Sequence, residues 1–213
     1  IGRKVADIRL LYQNGMYISV QSEVDRLIPL AQGKIGSEKM AEIKAYSVMS
    51  SIHLEAPNID GVVAEFEDDY PGAASLARVK FLQSVYYFDR KEYSRSLSIM
   101  EEIVQSHLPK EEKIEYMFNR AFCQMRGGMN DQAEVGFKQI ISLGNTPYKS
   151  ASTYYLAYIY YISNEFYAAV ELYEELKRNN EYALFSKYYL AESYFMLKKY
   201  DKVISYGEEI YEK

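Results

Sequence analysis

One short pattern returns six times along the 213 residues of this chain, and an internal repeat constrains a fold more tightly than composition can. The segments are NGMYISV (14–20), APNIDGVV (56–63), RKEYSRSL (90–97), GGMNDQAEV (127–135), SNEFYAAV (163–170) and LKKYDKVI (197–204). Each joins a polar or Gly-containing turn, usually with an aromatic, to a small or β-branched residue at the start of a helix. The equivalent small positions are Val20, Val62, Ser96, Ala133, Ala169 and Val203, separated by 42, 34, 37, 36 and 34 residues. That is a period near 34 with variation in loop length.

Each repeat reads as two helices. In the fifth, Thr146-Pro147 has the form of an N-cap followed by proline at the first helical position. A helix then runs through TYYLAYIYYI and breaks at Ser163-Asn164. Its partner, FYAAVELYEELK, places Ala169, Tyr173 and Leu176 on one face. Asn180 is expected to cap the next helix, SKYYLAESYFML. Pro109 is expected to open the fourth repeat, and Pro29 and Pro71 to close helices in the first and second. No stretch alternates as a strand would. The expectation is an all-α chain of about twelve helices.

The pairs LAYIYYISNEFYAAV and LAESYFMLKKYDKVI resemble the tetratricopeptide repeat, with its leucine–small pair, aromatic, turn, aromatic and small residue. Here those are Leu156-Ala157, Tyr160, Phe166 and Ala169, then Leu190-Ala191, Tyr194, Tyr200 and Val203. The third repeat keeps Ser84, Tyr87, Tyr93 and Ser96, and the fourth Ala121 and Ala133. The first two depart from the pattern through their 42-residue spacing, Pro57 in the turn and Val in place of Ala. The resemblance implies an α-α superhelix, a solenoid of about six helix-turn-helix repeats over 1–36, 37–74, 75–109, 110–146, 147–180 and 181–213, read as one domain and as a piece of a longer array. The stretch 65–103, with its acidic-aromatic lead and YP, looks like the variant found in bacterial cell-envelope repeat proteins. It implies a periplasmic or envelope location, with the cytoplasm as the alternative.

Composition narrows the job. Lys plus Arg is 25 and Asp plus Glu is 30, and a net charge of −5 disfavours duplex nucleic acid and anionic membrane. The longest apolar run, Tyr154 to Ile162, is nine residues, against about 20 for a membrane span, so no membrane insertion is expected. His53 and His107 have no second ligand at metal-binding spacing. Cys123 lies in the apolar run AFCQM with no histidine motif beside it, and reads as a buried thiol. Gly127-Gly128 reads as a turn, since no GxxxxGK[ST] or GxGxxG surrounds it. No catalytic, cofactor or metal site is expected, and the chain reads as a non-enzyme.

In the repeat family, first-helix residues one turn apart face a concave groove. Carried over by position, these are Arg78, Phe81, Val85 and Phe88 in the third repeat, and Phe118, Phe122, Met125 and Arg126 in the fourth. The fifth supplies Tyr154, Tyr158, Tyr161 and Ile162, and the sixth Phe185, Tyr188, Glu192, Phe195 and Met196. The same rings also suit packing between adjacent first helices, which is the competing reading. An open aromatic groove fits a peptide or protein segment, or a glycan stacked on Tyr rings, although the absence of Trp weakens the glycan. The accessory domain of a larger envelope enzyme is a third possibility. Ile204 and Tyr211 share a stripe expected to lie exposed with Leu197 and Tyr206 near it, offering an edge for self-association. The pairs Glu101-Glu102, Glu174-Glu175 and Glu208-Glu209 recur in register and read as a solvated face.

Overall fold

The structure is a computed structural model that describes residues 1–211; the last two positions of the sixth repeat lie outside the described residues. Among them are twelve α-helices and no strand. The helices are α1 (Gly2–Gln13), α2 (Tyr17–Ala31), α3 (Ser37–His53), α4 (Ile59–Asp69), α5 (Ala74–Asp89) and α6 (Tyr93–Glu101), followed by a 3₁₀ turn at Gln105–His107. They continue with α7 (Lys110–Arg126), α8 (Asn130–Ser142), α9 (Lys149–Ile162), α10 (Phe166–Leu176), α11 (Ala183–Met196) and α12 (Tyr200–Tyr211). The chain divides into two compact units, Ile1–Pro109 and Lys110–Lys213, each a stack of three helix-turn-helix pairs of the α-solenoid type.

Every first helix of a pair ends in the same way. Two residues beyond it sits a residue with positive φ: Gly15 (71°), Glu55 (53°), Lys91 (63°), Gly128 (78°), Asn164 (63°) and Lys198 (59°). The next N–H then reaches back five residues. Met16 donates to the Leu11 carbonyl at 3.0 Å, Ala56 to Ser51 at 3.0 Å and Glu92 to Tyr87 at 2.9 Å. Met129 donates to Gln124 at 2.9 Å, Glu165 to Tyr160 at 2.8 Å and Lys199 to Tyr194 at 2.9 Å. This is the Schellman closure, which satisfies the last carbonyls of a helix while reversing the chain. It fixes the register of the first two repeats, where the sequence departs from the family pattern. Pro57 follows the closing residue Ala56, a position where the helix has already ended.

The small positions sit at helix crossings. Val20, Ser96, Ala133 and Ala169 are fully buried, whereas Val62 and Val203 are partly exposed. In the third pair the crossing is polar, and Ser96 Oγ donates to the Ser84 carbonyl at 2.8 Å inside the core. Successive pairs are tied by a hydrogen bond that recurs in register. Tyr87 on α5 donates to Asp60 on α4 at 2.8 Å, Tyr160 on α9 to Glu134 on α8 at 3.1 Å, and Tyr194 on α11 to Glu174 on α10 at 3.2 Å. A basic side chain completes each site: Arg95 on α6 for Asp60, Lys138 on α8 for Glu134, and Lys177 just after α10 for Glu174.

Several local expectations are corrected. Pro29 lies inside α2, which continues to Ala31, because buried Leu27 and Ala31 hold the last turn in place. Thr146-Pro147 forms a turn before α9, which starts at Lys149 with Tyr148 as its N-cap, and Lys149 N donates to the Thr146 carbonyl at 3.2 Å. Asn179, not Asn180, orders the entry to α11, its side chain accepting from the N–H groups of Glu181 at 3.0 Å and Tyr182 at 3.1 Å. Tyr206 is buried, stacked on Tyr194 with centroids 5.9 Å apart, and its hydroxyl also donates to Glu174. The acidic pairs are not simply solvated, since one member of each is tied to another helix. Glu102 accepts from buried Lys80 at 2.6 Å, Glu174 from the two tyrosines, and Glu209 from Lys187 at 2.6 Å.

Two substitutions separate backbone strain from close packing. A β-carbon at Gly136 on α8 would lie 2.8 Å from the Ala121 β-carbon on α7, which has no flexible end to move. Gly136→Ala gains about 1 kcal/mol of helix propensity but overpacks by about 1–3 kcal/mol, so a net loss of stability is expected. Lys91→Gly relieves a left-handed lysine worth about 1–2 kcal/mol, partly offset by the greater freedom of unfolded glycine, and is expected to gain about 0.5–1 kcal/mol. Urea unfolding followed by circular dichroism reads both; the same sign for the two would refute this account.

Candidate functional site

In the first unit, α1, α3 and the start of α5 enclose an open cleft of about 780 Å³. Its floor is apolar, with Ala45 and Met49 buried, and its walls are tyrosines. Tyr12 meets Tyr17 and Tyr46 edge-on at centroid distances of 5.6 and 5.4 Å. Tyr17 stacks on His53 at 4.3 Å, and the Tyr12 hydroxyl lies 3.0 Å from His53 Nε2. Desolvation against these rings lowers the His53 pKa from its ordinary value.

Charge crosses the same cleft. Arg9 donates from Nε to the Tyr46 hydroxyl at 3.2 Å and from its terminal nitrogen to Glu42 at 3.0 Å, and Lys39 reaches Glu42 at 2.5 Å. Burial pushes Glu42 up, but the bonds from Lys39 and Arg9 outweigh it and hold the carboxyl below its usual range. Glu38 accepts the Ala74 N–H at 3.0 Å, capping α5 from another helix because Ala73 has no side chain able to do so. Of the expected groove residues in this unit, Arg78 lines the cleft, Phe81 is buried, and Phe88 is partly exposed with its ring edge-on to Tyr93. Sequence reasoning missed Tyr12, Tyr17 and Tyr46. Their signal was available in the spacing of Arg9-Tyr12 and of Glu42-Tyr46-Met49, one turn apart on two first helices.

In the second unit the expected residues sort into three kinds. Phe118 is buried, stacked on Tyr148 at 4.9 Å and tilted against Phe137 at 6.0 Å, so it supports the surface and does not line it. Phe122 is partly exposed and edge-on to Tyr155, while Arg126 is exposed. Tyr154, Tyr158 and Tyr161 are half-buried between α9 and α11, where they converge on Tyr189 at 6.4, 5.7 and 5.0 Å. Tyr189 in turn stacks on fully buried Tyr173 at 5.4 Å, and neither ring was among the expected site residues. The Tyr161 hydroxyl donates to Glu192 at 3.0 Å, joining two expected positions across the helix pair. Phe185, Tyr188 and Phe195 stand out from α11 at 57%, 51% and 58% exposure, with Ile162 and Met196 also exposed. On α12, Ile204 and Tyr211 are exposed at 62% and 93%.

Among the described residues, no group of three or more His, Cys, Asp or Glu is placed to hold a metal ion, and no helix is long and apolar enough to cross a membrane. Cys123 is buried.

No family model matches the chain, and neither does any curated protein. Solved structures do match it in fold. The pilF protein of Pseudomonas aeruginosa superposes with a TM-score of 0.63 at 15% identity, over 98% of this chain and 89% of that one. A kinesin light chain protein of Podosopora anserina, built of nearly identical TPR-like repeats, superposes with a TM-score of 0.51 in each of two forms, again at 15% identity. Those forms cover 98% of this chain and 91% and 92% of theirs. The fold is that of the tetratricopeptide-type helical repeat.

The tyrosine cluster makes an alkaline signature. Burial first, then its tyrosine neighbours, pushes Tyr154 up from 10.0 to about 12; burial first, then the bond to Glu192, does the same to Tyr161. Tyr173 and Tyr182 move further in the same direction, with burial again the largest cause. The fold therefore holds these phenols protonated, while the unfolded chain releases the same protons near pH 10.0. Their contribution is complete below that pH and is lost as pH rises from about 10 to about 12. Urea midpoints are expected to stay level up to about pH 10 and then fall; a midpoint unchanged at pH 12 would contradict the burial described here.

Proposed function

We propose that this chain is a non-catalytic scaffold for protein–protein contact, holding a peptide or protein segment on the first-helix surfaces of its repeats. The observation that carries this reading is the open cleft of the first unit, whose apolar floor, tyrosine walls and charged rim supply the ingredients of a peptide site. The exposed Phe185, Tyr188 and Phe195 on α11 offer a second face of the same kind, with Glu192 on the same helix as its polar member and Arg126 exposed on α7. Rigid aromatic rings give contact area at low entropic cost, which is why such side chains dominate binding hot spots. An envelope location in a bacterium is part of this reading, supported by the resemblance of residues 65–103 and by the fold shared with the Pseudomonas aeruginosa protein.

Selection of peptides from a display library against the whole chain tests it. Selected peptides are expected to lose about 2 kcal/mol of affinity, or about 30-fold, on Tyr17→Ser or on Phe185→Ser with Tyr188→Ser, with helical content unchanged. Failure to select any peptide, together with retention of glycans on an array, would replace the peptide with a carbohydrate.

The exposure of Ile204 and Tyr211 favours a second contact, self-association through α12. Light scattering is expected to show a mass above that of one chain, reduced to one chain when both are changed to Lys. A single-chain mass for the unaltered protein would remove this contact.

A further inference from the structure

A separate groove lies between α2, α3 and α4 in the first unit, with a volume of about 210 Å³, the scale of one or two side chains. Its floor is apolar: Val24, Val48 and Phe66 are buried, and Ile28 and Val62 are partly so. Its rim is acidic. Asp69 is already matched by Lys44, whose ammonium lies 3.1 Å from the carboxylate and 5.3 Å from the centre of the Tyr70 ring. Asp25 and Glu65 share the same rim, with Glu65 exposed on one side and Asp25 exposed on the other.

We propose that this groove receives an arginine side chain of a partner protein, its alkyl stem on the apolar floor and its guanidinium between Asp25 and Glu65. The chain supplies an internal precedent, since Lys44 already lays an aliphatic stem along this wall to reach Asp69. Long cationic side chains are the ones that cover apolar surface while keeping a charged head at the edge. Arginine fits better than lysine because the rim offers two carboxylates, Asp25 and Glu65. A guanidinium carries five donors in a planar fork, enough to meet two carboxylates at once, where an ammonium is a single point of charge. The groove does not depend on the tyrosine-walled cleft, and it stands or falls separately from it.

Methyl NMR of the whole chain tests this, with N-acetyl-arginine amide as the probe and N-acetyl-norleucine amide as the uncharged control. Saturable shifts are expected at the methyls of Val24, Ile28, Val48 and Val62 with the arginine probe. Apparent affinity is expected to fall at least about tenfold in Asp25→Asn with Glu65→Gln, and to weaken with added salt, as rim charges do. Both substitutions are at the surface, and an unchanged circular dichroism spectrum confirms that the fold is kept. Equal shifts from norleucine, absence of shifts from arginine, or an arginine response untouched by the double substitution would each overturn the proposal. Tighter binding of N-acetyl-lysine amide than of the arginine probe would overturn the choice of arginine.

Discussion

The left-handed residue that closes each first helix is the constraint on which the rest of the structure depends. It turns the chain within three residues in five of the pairs and within five in the second, so the second helix must return alongside the first. Only two of the six positions are glycine; Glu55, Lys91, Asn164 and Lys198 accept the conformation at a cost. That cost is tolerable because the closure satisfies carbonyls that would otherwise be orphaned. It also sets the crossing where Ala133, Ala169 or the Ser84–Ser96 pair must be small. Turn geometry and small residues are therefore one requirement expressed at two places in each repeat.

Between repeats the decisive contact is a phenol on a carboxylate. Tyr87, Tyr160 and Tyr194 occupy equivalent first-helix positions, and each reaches an acid on the second helix of the preceding pair. A hydrogen bond to a charged group contributes about 1.5–3 kcal/mol when shielded, more than the median surface ion pair. Of the three acids, Glu174 is held below its usual carboxyl range by such partners. For Glu174, burial pushes upward, but bonds from Lys177, Tyr206 and Tyr194 outweigh it. This explains why an array so rich in tyrosine does not simply substitute leucine or phenylalanine. The ring fills the space between helices, and the hydroxyl fixes the offset of one pair on the next.

The periodicity of small residues made the twelve helices and their pairing legible, because a buried crossing overpacks when a large side chain is placed there. The caps were less legible. Asn179 and Asn180 are adjacent and chemically identical, and only backbone direction decides which side chain faces the open N–H groups. Thr146-Pro147 carries the composition of a helix start, yet a turn uses the same residues for the same local reasons. Pro29 shows the reverse case, a breaker overridden by the burial of Leu27 and Ala31 beside it. At the candidate site, Arg78 and the exposed rings of α11 were readable from position in the repeat. The walls of the cleft were not, since Tyr12, Tyr17 and Tyr46 lie in the two repeats that depart most from the pattern.

The partition of the aromatic residues follows from what lies beyond each helix. Rings on α9 have α11 beside them, so Tyr154, Tyr158 and Tyr161 turn inward onto Tyr189 and lose most of their freedom to meet a ligand. At the positions equivalent to Tyr154 and Tyr161, Tyr188 and Phe195 on α11 meet no such neighbour among the described residues and remain more than half exposed. The same residue type at the same repeat position is thus half-buried between helices in one pair and exposed in the next. In the first unit the balance differs again, because Ala45 and Ala74 take positions where a large side chain would close the space. The cleft there is open for want of filling side chains, and its tyrosines are held at the edges by His53 and Arg9. An array of repeats that share one turn geometry can therefore carry distinct surfaces by changing which first-helix positions are large.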